Sequence, residues 1–208
     1  MVVALTPMQV MCGFRPLEQI LRFLRLFNEV GTLCGLTDSH TYDSSLPQAN
    51  SDVLRSLFSK LMKAAKSEYE PVINSVVNKL QQNADKWTEA GVPAVPIVTV
   101  WKQFAVDVGV LCPLFLNTLA LQPGEAMFLP ACMPHAYMSG EAIEVMASSD
   151  NVLRAGLTPK PRDVDNLCLI LDYTSMTSPA MERVMVDKVT RIYKPIYRWQ
   201  RQCMRYHG

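Results

Sequence analysis

Histidine is scarce in this chain: His40, His135 and His207 are all that 208 residues offer. A metal centre built on several imidazoles therefore has few donors to draw on. The six cysteines, Cys12, Cys34, Cys112, Cys132, Cys168 and Cys203, show no CxxC and no regular spacing, which excludes a zinc-finger pattern. No GxGxxG, P-loop or GxSxG pattern occurs, so no dinucleotide, nucleotide-phosphate or serine-hydrolase motif is present. The longest apolar run, 106–121, is interrupted by Asp107, Pro113 and Asn117 and is too short and polar for a membrane span. Charge of one sign is also missing, with a net charge of +1 and a pI near 7.6, so nothing global points to nucleic acid or an anionic membrane. The start, MVVALTPMQV, lacks the cationic and apolar blocks of a secretory signal. The expected compartment is cytoplasmic and reducing, where these thiols act as small buried hydrophobes.

Hydrophobic residues, at 49%, are plentiful enough for a core. A strand over 1–5 is followed by a Thr-Pro turn and a glycine-containing corner at 12–16, and Pro16 opens a helix. Leu17, Ile20, Leu21, Leu24 and Phe27 fall at three- and four-residue steps, one helical face over 17–30 ended by Gly31 and Gly35. A loop over 36–50 leads to a second helix, capped by Ser51 or Asp52 and carrying Val53, Leu57, Phe58, Leu61 and Met62. Pro71 marks a break or a new start, and 72–87 repeats the helical pattern.

The texture changes at the turn Gln122-Pro123-Gly124-Glu125. Short apolar runs over 126–129, 136–138, 143–147 and 152–155 then predict strands of a sandwich or barrel. Asp163 caps a last helix over 164–171. The predicted fold class is α+β, with segments 1–16, 17–103 (helical), 104–173 (β) and 174–208. The last segment is basic, with seven Lys/Arg against Glu182 and Asp187. Its Tyr193, Tyr197, Trp199 and Tyr206 give it the mixture that can stack on bases, yet a solvated tail is the expectation.

Four side chains stand out. His135, in Pro134-His135-Ala136-Tyr137, follows a strand and reads either as a metal ligand or as a hydrogen-bonded structural histidine. Arg154 sits among apolar neighbours, where a guanidinium either pairs with Asp150 or Glu144 or serves a site. Glu144 places one carboxylate in an apolar strand, on a face that alternation alone does not choose. Lys160, after Pro159, reads from residue type as a surface lysine.

Taken together, Gly124-Glu125-Ala126-Met127-Phe128-Leu129, Pro134-His135-Ala136-Tyr137, Ile143-Glu144-Val145-Met146-Ala147 and the run from Ser149 to Lys160 closely resemble the central region of type I mannose-6-phosphate isomerases. Ala4-Leu5-Thr6-Pro7 and Cys12-Gly13-Phe14-Arg15-Pro16 resemble that family's entry into its helical domain, and Asp107, Gly109, Leu116 and Asn117 fall where the family has them. The resemblance implies a partial cupin, a jelly-roll β structure with an inserted all-helical domain. It implies conversion of mannose 6-phosphate to fructose 6-phosphate through an enediolate, feeding GDP-mannose synthesis, with Zn2+ as cofactor and a sugar phosphate as partner. By the same resemblance His135 is a zinc ligand, Arg154 the active-site arginine, Lys160 a candidate for substrate charge and Glu144 for proton handling. The family's other zinc ligands, from a Gln-x-His segment and a Lys-Pro-Glu motif, are expected upstream of Met1. The metal site is thus expected to be incomplete here. Cys132-Met133 stands where the family prefers Asn and one other residue. The rival expectation is a truncated fragment or a non-catalytic cupin-derived binding module.

Overall fold

A computed structural model describes residues 1–148, 152–176, 181, 183–185, 187 and 190–193. Two small antiparallel sheets face each other. In the first, β1 (Val2–Ala4) runs between β4 (Ala126–Met127) and β6 (Ala142–Glu144), with Val2 opposite both Met127 and Glu144. In the second, β2 (Met8–Phe14) runs between β3 (Leu116–Leu121) and β5 (His135–Ser139). Val2 and Ala4 of one sheet meet Met8, Val10 and Cys12 of the other, and Leu121 and Met127 complete this inner cluster. Burying such a side chain stabilises by about 1.5–3 kcal/mol, and this face-to-face burial holds the sheets together.

Strand β2 was not foreseen: a turn and corner stand in the sequence expectation where seven residues of strand are found. Six of the seven are buried, so no period-two alternation marks them, and Gly13 within the strand imitates a corner.

Between the paired neighbours β2 and β3 lie α1 (Leu17–Leu26), α2 (Asn28–Leu33), α3 (Pro47–Lys63), α4 (Lys66–Gln82), α5 (Ala84–Glu89), α6 (Ala94–Phe104) and a buried 3-10 turn, Val108–Leu114. The helical block is thus an insertion into a strand pair. The face expected for the first helix is found buried, at Leu17, Ile20, Leu21 and Leu24. The helix is not continuous, however. Phe27 leaves helical geometry (φ −112°, ψ 76°) and its ring stacks on Trp87 at 4.8 Å, so α2 begins afresh. Gly35, at φ +67°, closes α2: its N–H donates to the Thr32 carbonyl, and the next N–H, of Leu36, to the Gly31 carbonyl.

Two helix starts differ from expectation. α3 opens at Pro47, whose missing N–H costs nothing in the first turn, and Ser51 and Asp52 lie inside the helix instead of capping it. α4 runs straight through Pro71. Both Pro71 and Ser67, four residues earlier, are exposed, so water can reach the carbonyl that loses its partner. α4 is instead started at Lys66, with Glu68 accepting from the Ala65 N–H at 2.7 Å.

After β6 the chain has no regular structure over 152–155, where a strand was expected. Leu153 and Ala155 pack on the helical core instead of pairing with a strand. α7 (Val164–Ile170) follows, capped by Asp163 as predicted: its carboxylate accepts from Asn166 N–H at 3.1 Å. Phe14 joins the parts, edge-on to Phe58 of α3 at 5.0 Å and stacked on Tyr173 at 5.2 Å.

The solvated-tail expectation fails in its described part. β7 (Arg183–Met185) and β8 (Arg191–Tyr193) form a hairpin, and Tyr193, only 1% exposed, packs with Met1, Val3 and Ala126. Its hydroxyl donates to the Gly124 carbonyl at 2.7 Å. Lys188 and residues 194–208, including Tyr197, Trp199, Tyr206 and most of the expected basic cluster, lie outside the described residues. Among the described residues no helix is long and apolar enough to cross a membrane.

Candidate functional site

The mouth between the two sheets is where chemistry-bearing side chains converge. Cys12 and Val10 of β2 point into the space between the sheets, and the register pairs them with His135 and Tyr137 of β5. Directly opposed antiparallel residues share a face, so His135 and Tyr137 are turned the same way. On the facing sheet Glu144 of β6 lies opposite buried Val2, which turns it inward as well. His135 and Glu144 line one cavity of about 420 Å³, together with Met1, Phe128, Leu129 and Met146.

Glu144 is held from across the gap. The Tyr137 hydroxyl donates to its Oε1 at 2.5 Å, a short bond of the charge-assisted kind. Burial, then this bond and the adjacent carboxylate charge, push the phenol well above its usual range, so Tyr137 remains a donor. The His135 imidazole places Nδ1 3.0 Å from the Met133 carbonyl. In the tautomer that donates there, Nε2 is left as a free acceptor, the form that binds a metal or a proton.

Arg154 and Lys160 are placed elsewhere. Arg154 is half-buried on the irregular segment after β6, between Leu153 and Ala155. The ion pair with Asp150 suggested by the sequence lies outside the described residues, since Asp150 is among those not described. Lys160 is exposed, its backbone N–H donating to Thr158 Oγ1 at 3.2 Å. Neither lines the cavity that His135 and Glu144 share. Of the four predicted residues the fold therefore brings two together.

Tyr137 was the residue that sequence reasoning passed over. Its signal was available: two positions after His135 on a strand means the same face. The Cys132 position also acquires a meaning, because its φ is +63°. Asn tolerates that left-handed geometry far better than Cys, a physical reason for the asparagine that the resemblance implies there.

The donor set does not fit a bound zinc ion. Among the described residues no group of three or more His, Cys, Asp or Glu converges. One imidazole, and one carboxylate already engaged by Tyr137, fall short of the three protein ligands a catalytic zinc takes.

Comparison with known proteins gives a consistent answer. Residues 32–116 match the model of the phosphomannose isomerase type I helical insertion domain. The chain is 43% identical over 205 residues to mannose-6-phosphate isomerase of Bos taurus and 42% over 206 to that of Homo sapiens; each alignment takes in 94% of this chain and 48% of the relative. The crystal structure of the Salmonella typhimurium mannose 6-phosphate isomerase bound to fructose 6-phosphate and zinc superimposes with a TM-score of 0.74 at 32% identity, over 94% of this chain and 47% of the other. The chain therefore spans about half the length of the relatives it matches. Its two facing sheets and inserted helices are part of a cupin with a helical insertion domain. Over the half of their length that it spans, the chain is similar in sequence and fold to mannose-6-phosphate isomerases, and its residues 32–116 match the helical insertion domain of the type I family.

Proposed function

We propose that this chain serves the interconversion of mannose 6-phosphate and fructose 6-phosphate, moving a proton between C1 and C2 through an enediolate. The observation that carries this reading is the meeting of His135 and Glu144 at one cavity, in a chain 43% identical to a mannose-6-phosphate isomerase.

Glu144 is the acid/base: its carboxylate takes the proton from one carbon and returns it to the neighbouring one, so no net proton is consumed. The bond from Tyr137 orients that carboxylate. Arg154 supplies positive charge to the developing enediolate oxygen, and Lys160 to the phosphate. In this reading a zinc ion would polarise the substrate carbonyl. His135 would be one of its donors, yet the donor set of this chain does not suffice for it, and no step is assigned to the metal. The product would feed GDP-mannose synthesis in the cytoplasm.

Zinc content of the purified chain, measured beside a coupled mannose-6-phosphate isomerase assay, tests the reading. Turnover that Arg154→Ala lowers by about 10²–10³ supports it, and the zinc content shows whether a metal takes part. No zinc and no turnover would leave the chain a non-catalytic member of the family, and stable expression as a monomer would then favour a binding module.

A further inference from the structure

The Asp107 carboxylate sits between two turns of chain that would otherwise have nothing in common. Its Oδ1 accepts from the Gly109 N–H at 2.8 Å, starting the 3-10 turn, and from the Leu157 N–H at 3.0 Å, 50 residues further on. Its Oδ2 lies 4.0 Å from Arg162 Nη1, and the carboxylate side chain is only 19% exposed. The backbone around it fits tightly. A Cβ on Gly156 would come within 2.6 Å of Oδ1, and one on Gly109 within 2.6 Å of Leu157 Cγ. Leu157 itself is held at φ +57°, a left-handed geometry that a branched side chain avoids unless something fixes it.

Leu157 stands three residues after Arg154 and three before Lys160. A segment with no strand partner and an unfavourable φ at its centre has few ways to hold a fixed shape. The bond from its central amide to Asp107 supplies one, and the contact to Arg162 secures its far side. We propose that Asp107 is a positioning residue, pinning the turn at Leu157 so that Arg154 and Lys160 are presented together to a sugar phosphate. This rests on the function proposed above for those two cations. Asp107 does not touch the reacting atoms.

The test combines hydrogen exchange over 152–162 with binding of fructose 6-phosphate, both on the whole chain. Asp107→Ala should speed exchange at Leu157 and weaken fructose 6-phosphate binding, each by about tenfold. Asp107→Asn keeps an oxygen facing the two amides and should stay within about twofold of the parent on both readouts. Arg154→Ala should weaken binding in the parent but add less than about twofold to Asp107→Ala, because a mispositioned arginine has little left to lose. Gly109→Ala, which displaces Leu157 without removing the carboxylate, should loosen the same segment and guards against a folding failure of Asp107→Ala. A full Arg154→Ala effect in the Asp107→Ala background, or an asparagine variant as damaged as the alanine one, would overturn the proposal. If the parent chain binds no fructose 6-phosphate, the functional reading fails, and with it the substrate part of this inference. Unchanged exchange at Leu157 would instead sink the pinning itself.

Discussion

The Tyr137 hydroxyl of β5 donates to the Glu144 carboxylate of β6, and in doing so ties one sheet to the other at the mouth of the cavity. Tyr137→Phe removes that tie while keeping the ring. With the tyrosine 39% exposed, the loss of stability should be about 1 kcal/mol. A denaturant melt of the variant against the parent measures it, and an unchanged midpoint would mean that the bond contributes nothing to holding the sheets.

Alkali should destabilise the fold. Burial raises the thiols of Cys12, Cys34 and Cys112 from 9.0 to about 12, and burial with the Glu144 bond raises the Tyr137 phenol from its ordinary 10.0. The unfolded chain gives up these protons first. The stability they contribute is therefore complete below about pH 9 and is lost as pH rises through about 12. Melts between pH 8 and 11 should show a falling midpoint. At pH 8 a thiol reagent should label exposed Cys132 and leave Cys12, Cys34 and Cys112 untouched until the chain unfolds, which mass spectrometry of the peptides would show.

Cys132→Asn should stabilise. The residue is held at φ +63°, where asparagine is at home and cysteine is strained, so a gain of about 1 kcal/mol is expected. A rise in the thermal midpoint confirms it. A fall would mean that the cysteine side chain makes a contact worth more than the backbone relief.

Asn117 is the reverse case, a buried amide that cannot be spared. Its Nδ2 donates toward the carbonyls of Met176 at 2.8 Å, Phe14 at 3.1 Å and Gly13 at 3.3 Å. Asn117→Leu removes that donor, and although the Phe14 carbonyl keeps the Met176 N–H at 2.9 Å, the change should cost about 1–3 kcal/mol. Chemical denaturation reads the effect, and a neutral outcome would require water to enter in the amide's place.

The helices were largely readable because their apolar stripes survive in the sequence: Leu57, Phe58 and Leu61 of α3 and Ile73, Val76, Val77 and Leu80 of α4 are all buried as their spacing requires. What escaped notice escaped for physical reasons. β2 is buried on both faces and so shows no alternation. Pro47 stands in a first turn, where the missing N–H is harmless, and Pro71 on an exposed face, where water can serve the Ser67 carbonyl, so a rule that treats proline as a breaker misplaces Pro71. At the mouth of the sheets, His135 and Glu144 could be singled out by residue type. That they share a cavity, and that Tyr137 spans the gap, depends on a pairing register between strands far apart in sequence. The Asp107 contact to Leu157 is of the same kind, since its 50-residue separation leaves no local periodicity to read.

The insertion of the helices between β2 and β3 sets an order of events during folding. Pairing Phe14 with Leu116 closes a loop of about a hundred residues, and a closure of that length is slow and entropically costly while the loop is a random chain. The helical block shortens the search. Once formed, it returns the chain close to its point of departure, where the Arg15 N–H reaches the Phe115 carbonyl at 2.8 Å and the Arg15 Nε–H the Pro113 carbonyl at 3.1 Å. The central strand pair thus has to wait for the helices, and a mutation that delays them will slow assembly of sheets it never touches.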